Sequence, residues 1–310
     1  MWEWIRRFWE GRRWRSVPGL ALLIYRELGR TRVFNIAAAV AFFFFLALVP
    51  LLIVFWSLLS VLHLRSLFGQ LLDLAALLFP PEAMSLVDRL LYGILAGHHG
   101  GLLSFGVLGY LWASSGGFLA LIEALDVAYD VARPRPWWRE RLQALLLTFT
   151  SGGLALVALV AAVVGPRIGH ALTVVFPLPR NFDLLWPALR LGLISLAFLS
   201  SAILLYKLAP NSRHTLGSTI PGAVFAVVAG VGGCGGFSFY VSRFANYNAI
   251  YGSLGAVVVL MLWFYIIALA VLIGAELNAE LAKSGKTESS EQAIEKAASA
   301  PVEKPVAQST

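Results

Sequence analysis

The sequence predicts an all-α, polytopic membrane helix bundle with six transmembrane helices. Three observations predict it. The chain is 59% apolar and only 13% charged over 310 residues, with a mean hydropathy of +0.77, whereas soluble domains are about 25% charged. Six stretches are long and apolar enough to supply the roughly 20 helical residues that cross about 30 Å of hydrocarbon. Those stretches are continuous rather than alternating, which argues against barrel strands of about 10 residues.

The six spans fall at about 33–62, 100–125, 142–166, 184–208, 215–242 and 252–277, within a membrane domain of residues 33–282. Charge orients them. With the N-terminus in the cytoplasm, 18 of the 24 Lys and Arg fall on cytoplasmic segments and 6 on external ones. Cations concentrate on the cytoplasmic side of membrane proteins, so the expectation is N-in and C-in. The net charge of +7 then follows from topology, and nucleic acid is not needed as a partner.

Residues 1–32 are expected to be cytoplasmic and interfacial. Trp2, Ile5 and Trp9 recur at helical spacing with arginines between them, which suits a helix lying at headgroup depth. The apolar run that follows is too long for a signal-peptide core of roughly 7–15 residues, so a retained span is expected. Between the first two spans, 66–97 carries two apolar faces: Leu67, Leu71, Ala75 and Leu78, then Ala83, Leu86, Leu90 and Ile94. Pro80–Pro81 separates them, which predicts an external amphipathic hairpin. The tail, 283–310, is rich in Ala, Ser, Glu and Lys without a sustained period, and is expected to be disordered in the cytoplasm.

Ionisable residues within spans are costly and default to functional candidates. Glu123, Asp126 and Asp130 follow one another at i, i+3 and i+7 near the cytoplasmic end of the second span, and Arg133, Arg135, Arg139 and Arg141 come next. Arg190 lies near the outer end of the fourth span, and Lys207 closes it. Glu276 and Asn278 close the sixth. These seven non-arginine-loop positions, from Glu123 to Asn278, are the candidate substrate or ion pathway. Snorkelling of charged side chains to the interface is the structural alternative. Asn246, Tyr247, Asn248 and Tyr251 form a polar aromatic turn outside, read as an interface anchor.

A second set of residues concerns packing or hinging. Pro50 sits in the middle of the first span and removes a helical hydrogen bond there. Gly116 and Gly117 interrupt the second span. The fifth carries Pro221–Gly222 and then five glycines within 230–236, including the Gly232/Gly236 pair. Such pairs let backbones approach, within the subunit or across a homodimer. So many glycines lead one to expect a thin or irregular helix.

Enzyme signatures are missing. There is no phosphate loop, HExxH helix, GxSxG elbow or dinucleotide fingerprint. Cys234 is the only cysteine, so neither an intrachain disulfide nor a Cys-pair zinc site can form. His98–His99 alone is a weak metal signal. No metal or cofactor is expected.

Seven motifs stand out along the chain: Ala37 to Pro50; Leu111-Trp-Ala-Ser-Ser-Gly-Gly-Phe to Tyr129; Leu205-Tyr-Lys-Leu-Ala-Pro210; Pro221-Gly-Ala223; Tyr251-Gly-Ser-Leu-Gly-Ala256; Leu262-Trp-Phe-Tyr265; and Gly274-Ala-Glu-Leu-Asn-Ala279. Together they resemble the YihY/BrkB family of bacterial inner-membrane proteins. The resemblance covers roughly 20–282. Family members often carry an acidic residue where this chain has Arg30 to Asn35, and Asn where Asp126 stands. The resemblance implies a location in the bacterial inner membrane and transport of lipids or other amphiphiles, with membrane lipids as partners. It also brings a ribonuclease label that this sequence does not support. The leading expectation is therefore a transporter or flippase-like protein. A non-transporting scaffold that assembles through the Gly232/Gly236 face is the alternative, and a membrane enzyme ranks last.

Overall fold

The computed structural model describes residues 31–61, 80–96, 102–131, 135–175, 182–211, 216–244 and 253–298, together with residues 29, 69, 72 and 76. Eight helices are present among them. They are α1 (Val33–Val61), α2 (Pro81–Ala96), α3 (Leu102–Ala128), α4 (Trp137–Val163), α5 (Gly165–Val175), α6 (Phe182–Leu208), α7 (Leu216–Phe244) and α8 (Ser253–Ala298). Six of them, α1, α3, α4, α6, α7 and α8, are long and apolar enough to cross a membrane. The interfacial helix expected in 1–28, the first arm of the hairpin, the His98–His99 pair and the 246–251 turn lie outside the described residues.

Helices are the only solution for such segments, because hydrocarbon offers no partner for backbone N–H and C=O groups. Successive spans run antiparallel. One end of the bundle, here the near end, holds Val33, Ala128, Trp137, Leu208, Leu216 and the stretch around Glu276; the far end holds Val61, Val163, Phe244 and Ser253. Each span packs on the next in chain order and α8 returns to α1, closing a ring that α3 and α8 also bridge across its middle.

Glycine sets the tightest contacts, since packing rather than hydrophobic transfer holds helices together in lipid. Along α1 and α3, a side chain added at Gly116 would meet the Phe43 ring at 2.6 Å, one at Gly117 the Phe44 ring at 2.8 Å, one at Gly109 Pro50 at 3.3 Å, and one at Gly106 Ile53 at 2.8 Å. As one helix ascends the other descends, an antiparallel register. Pro50 thus serves as a packing surface within a continuous helix. Along α7 and α8, Gly222 crosses Gly274 backbone to backbone, and Gly233 seats Ile266 at 2.8 Å.

The core lies toward the near end, where Ile122, Leu125, Leu147, Leu205, Tyr206 and Leu272 are almost fully enclosed. A smaller cluster at the far end forms under α2, whose Ala83 and Val87 face Leu48, Val241, Val259 and Leu260.

Three expectations need correction. The glycine-rich stretch of α7 is not irregular: the helix is continuous from Leu216 to Phe244, because a broken backbone there would leave polar groups facing hydrocarbon. The tail is not disordered from 283 onward, since α8 continues to Ala298; its Ala, Glu, Gln and Lys are strong helix formers that extend an existing helix without a new nucleus. Finally, α4 begins at Trp137 rather than near 142. Its Trp-Trp-Arg-Glu-Arg start is polar enough to defeat an apolar-run criterion, yet suits the membrane interface.

Candidate functional site

The near end gathers polar groups from four spans. Asn278 of α8 is 1% exposed and clasps α7: its Oδ1 accepts a hydrogen bond from the Gly222 N–H at 2.7 Å, and its Nδ2 donates to the Thr219 carbonyl at 3.0 Å. Only glycine allows this. A Cβ on Gly222 would run into the Gly274 carbonyl and lie 2.5 Å from the Asn278 amide carbon. Pro221 beside it lacks an N–H, so the local ladder is already short of one bond.

Glu276 lies less than one turn before Asn278 on the same helix and is also 1% exposed. Tyr206 of α6 is fully buried and donates to the Val271 carbonyl of α8 at 2.6 Å. Tyr129, just past the end of α3, is hydrogen-bonded to the Asn278 side chain and lies within the field of Glu276. Burial first, and the Glu276 charge second, push its phenol up from the usual tyrosine range. Tyr129 is therefore a neutral phenol at any physiological pH.

A second layer ties the end of α6 to α3. Asp126 is half-buried, and its Oδ1 accepts from the Asn211 N–H at 2.7 Å. Arg135, between α3 and α4, donates from Nη1 to the Ala209 carbonyl at 2.8 Å. Residues 209–211 are thus stapled to the loop end of α3 and to the start of α4.

The other candidates lie elsewhere. Glu123 is exposed on the flank of α3. Asp130 leaves the helical face altogether, because α3 stops at Ala128 and Asp130 has a positive φ of 50°. The Asp130 N–H bonds the Val127 carbonyl and the Val131 N–H bonds the Asp126 carbonyl, which is a Schellman termination with Asp at its left-handed position. The expected i, i+3, i+7 face therefore ends at Asp126. Lys207 is half-buried beside Tyr206. Arg190 lies near the far end, its stem laid against Gly165, while Trp186 Nε1 donates to the Gly165 carbonyl at 2.8 Å. Among the packing candidates, Gly116, Gly117 and Gly222 meet neighbouring helices, whereas Gly232 and Gly236 face open space.

Structure thus brings Asp126, Glu276 and Asn278 to one end, and adds Tyr129 and Tyr206, which the sequence reading passed over. The available signal for both tyrosines was their place at span ends, where tyrosine is mostly an anchor. Among the described residues no three His, Cys, Asp or Glu side chains converge as a metal site would require.

The ring is closed unevenly. In the far half of α6, residues 187–189, 191–193 and 195–196 are all exposed. The less exposed sector there, Trp186, Arg190, Ile194 and Ala197, is the one that turns Trp186 and Arg190 toward Gly165 and Gly169 of α5. In the near half, Leu205 and Tyr206 of α6 meet Ala223 and Ala226 of α7 in the core. Accordingly only 11% of the membrane windows of α6 and of α7 is buried, against 50% for α3.

The family described as "Virulence factor BrkB" matches residues 24–299. The chain is 39% identical to the "Putative ribonuclease-like protein YfkH" of Bacillus subtilis, across 81% of this chain and 90% of that protein. It is 28% identical to a UPF0761 membrane protein of Tolumonas auensis across 83% of each chain. A UPF0761 membrane protein of Rhodospirillum centenum is 28% identical over 80% of this chain, which spans only 54% of that relative. No solved structure matches.

Proposed function

From the premise that the chain belongs to the Virulence factor BrkB family, we propose that it is a transporter or flippase-like protein for a lipid or another amphiphile. It resides in the bacterial inner membrane with both termini in the cytoplasm, so the near end is cytoplasmic. The observation that carries this reading is the seam between α6 and α7. The two helices share a core through Leu205, Tyr206, Ala223 and Ala226 at the end that holds the buried Glu276 carboxylate, while the far half of α6 is largely exposed. A seam of that form gives an amphiphile sideways entry from the bilayer, and the cytoplasmic end has to rearrange before anything passes.

Glu276 suits the coupling role. A charge enclosed at that depth costs several kcal/mol unless it is compensated, so its protonation biases the arrangement of the helices around it. Asp126 is the second candidate proton site. Arg190 at the far end and Arg135, Arg139 and Arg141 at the near end contact anionic headgroups, and Glu123 faces the interface. No ATP-binding motif occurs in the chain, so movement is passive, proton-coupled or driven by a partner. The protein is not an enzyme in this reading, and among the described residues no three His, Cys, Asp or Glu side chains converge as a metal site would require.

The test is translocation of a fluorescent phospholipid analogue in proteoliposomes. Glu276→Gln keeps the shape and removes the charge, and is expected to lower the rate at least about tenfold without loss of fold. Arg190→Ala is expected to lower it less. Wild-type rates in Glu276→Gln would remove that residue from the mechanism, and absence of flux in the wild-type protein would leave the non-transporting scaffold, whose supporting observation is the uncovered Gly232/Gly236 face.

A further inference from the structure

Two groups of helices differ in how they are joined. α1, α3, α7 and α8 are joined along their length. Glycines from Gly106 to Gly117 seat α3 on α1, and those from Gly222 to Gly233 seat α7 on α8. Phe44 of α1 meets both Phe118 of α3 and Phe264 of α8, with ring centroids 5.8 and 6.3 Å apart. At the near end the Asn278 amide of α8 ties α7 and the Tyr129 that follows α3. At the far end α2 straps α1 to α7 and α8, with Ala83 and Val87 on Leu48, Val241, Val259 and Leu260. These five helices form a frame held at both ends.

α4, α5 and α6 are held at the far end by one another. α5 is a bent continuation of α4: the Val164 N–H bonds the Val160 carbonyl, and the Ile168 N–H bonds the Val164 carbonyl. Pro166 inside the bend has no N–H to give. α6 is pinned into that bend. Trp186 Nε1 donates to the Gly165 carbonyl, its ring fills the place of a side chain on Gly169, and the Arg190 stem does the same at Gly165. Joints to the frame lie toward the near end. In the near core α4 supplies Ala144 and Leu147, and α6 supplies residues only from Leu199 onward. Among the described residues, α4, α5 and α6 supply none to the far cluster. Tyr110 of α3 reaches Gly152, midway along α4. Three side chains carry the crossing hydrogen bonds: Tyr206 donates to the Val271 carbonyl, Arg141 Nη2 to the Trp112 carbonyl at 3.3 Å, and Asp126 accepts from the Asn211 N–H. Single bonds of this kind are weak in a membrane, since the parted groups find other partners.

We infer that α4, α5 and α6 move as one unit, swinging on these near-end joints against the frame of the other five helices and so opening the far half of the bundle toward lipid. Displacement grows with distance from a hinge, so the swing leaves the far cluster intact and disturbs the near core least. It does not rest on transport. A non-transporting scaffold with these joints swings too, and loss of flux and loss of swing are separate results.

The experiment is double electron–electron resonance on spin-label pairs in nanodiscs, in a Cys234→Ala background. Leu191→Cys on α6, Val157→Cys on α4 and Val231→Cys on α7 are each paired with Val49→Cys on α1. All four positions are exposed on helices, so the label's own freedom enters each pair alike. The two pairs that join unit to frame are expected to give distance distributions at least about twice as wide as the α7–α1 pair, the mark of a collective motion between packed units. Tyr206→Phe keeps the buried ring and removes the bond to Val271. It is expected to widen those two pairs further while the α7–α1 pair stays as it was. Three equally narrow distributions overturn the inference. So does a wide α6 pair beside a narrow α4 pair, which splits the unit, and so do unchanged widths in Tyr206→Phe.

Discussion

The two ends of α7 follow opposite rules. At the near end, Gly222 lies against the Gly274 backbone and an Asn278 amide spans the gap. Toward the far end, Gly232, Gly235 and Gly236 meet nothing. The same residue type therefore does two different jobs within one continuous helix. At the near end a missing side chain lets polar groups reach one another; toward the far end it leaves room beside the helix. The contrast extends to α6, which is locked to α8 and α3 through Tyr206 and Asn211 but leaves most of its far half uncovered. The far end has contacts of its own, with Val241 of α7 buried against Val259 and Leu260, so the contrast lies in the exposed stretches of α6 and α7 between the two ends, where the helices have most freedom to shift. A bundle packed evenly along its length lacks that freedom.

The strongest way to break this comparison is to add the same side chain at both ends of α7. In Gly222→Val the new atoms run into backbone at Gly274 and into the Asn278 amide, neither of which can step aside as a flexible side chain would. The loss is expected to reach about 3 kcal/mol, the upper range for overpacking, and to appear as a much lower thermal midpoint in detergent by tryptophan fluorescence. Gly236→Val, facing open space, is expected to leave the midpoint unchanged. Equal midpoints for the two variants would show that the ends are not different in kind.

A smaller effect separates hydrogen bonding from packing. Asn278→Leu retains bulk but strands the Gly222 N–H and the Thr219 carbonyl, both buried. Interhelical hydrogen bonds in membranes are each worth about 0.6 kcal/mol, rarely above about 1.7, so about 1–2 kcal/mol of destabilisation is expected. Ser195→Leu, at an exposed position of the far half of α6, serves as the matched polar-to-apolar change and is expected to cost nothing. Should both variants unfold alike, the amide clasp has no special weight.

The legible part of this molecule is what lipid imposes. Continuous apolar runs mark six helices because hydrocarbon permits nothing else, and Glu276, Asn278 and Asp126 stand out because polar residues are rare at that depth. What stays hidden depends on partners distant in sequence. Nothing in the local pattern tells Gly233, which seats Ile266, from Gly232, which faces open space, since the difference lies in where α8 runs. Tyr129 and Tyr206 look like two more interfacial tyrosines until Asn278 and the Val271 carbonyl are brought to them. Asp130 looks like the third member of an acidic face, because a helical projection ignores the stop two residues earlier. Conversely, the tail composition reads as disorder only if the helix before it is ignored.

The finest distinction concerns Asp126, where members of the resembling family often carry Asn. The contact that matters is a single acceptor, Oδ1 to the Asn211 N–H. Asn offers the same carbonyl oxygen in the same place, so Asp126→Asn should keep the staple between α3 and the end of α6. It gives up only the attraction of Arg135, and a half-exposed pair of that sort contributes about 0–1 kcal/mol. Asp126→Ala removes the acceptor itself, and is expected to cost about 1 kcal/mol, the usual value of one net hydrogen bond. Chemical denaturation in mixed micelles can rank the two against wild type. If Asn is as damaging as Ala, charge rather than hydrogen bonding holds the near end. If Asn is neutral and Ala is not, the staple is geometric.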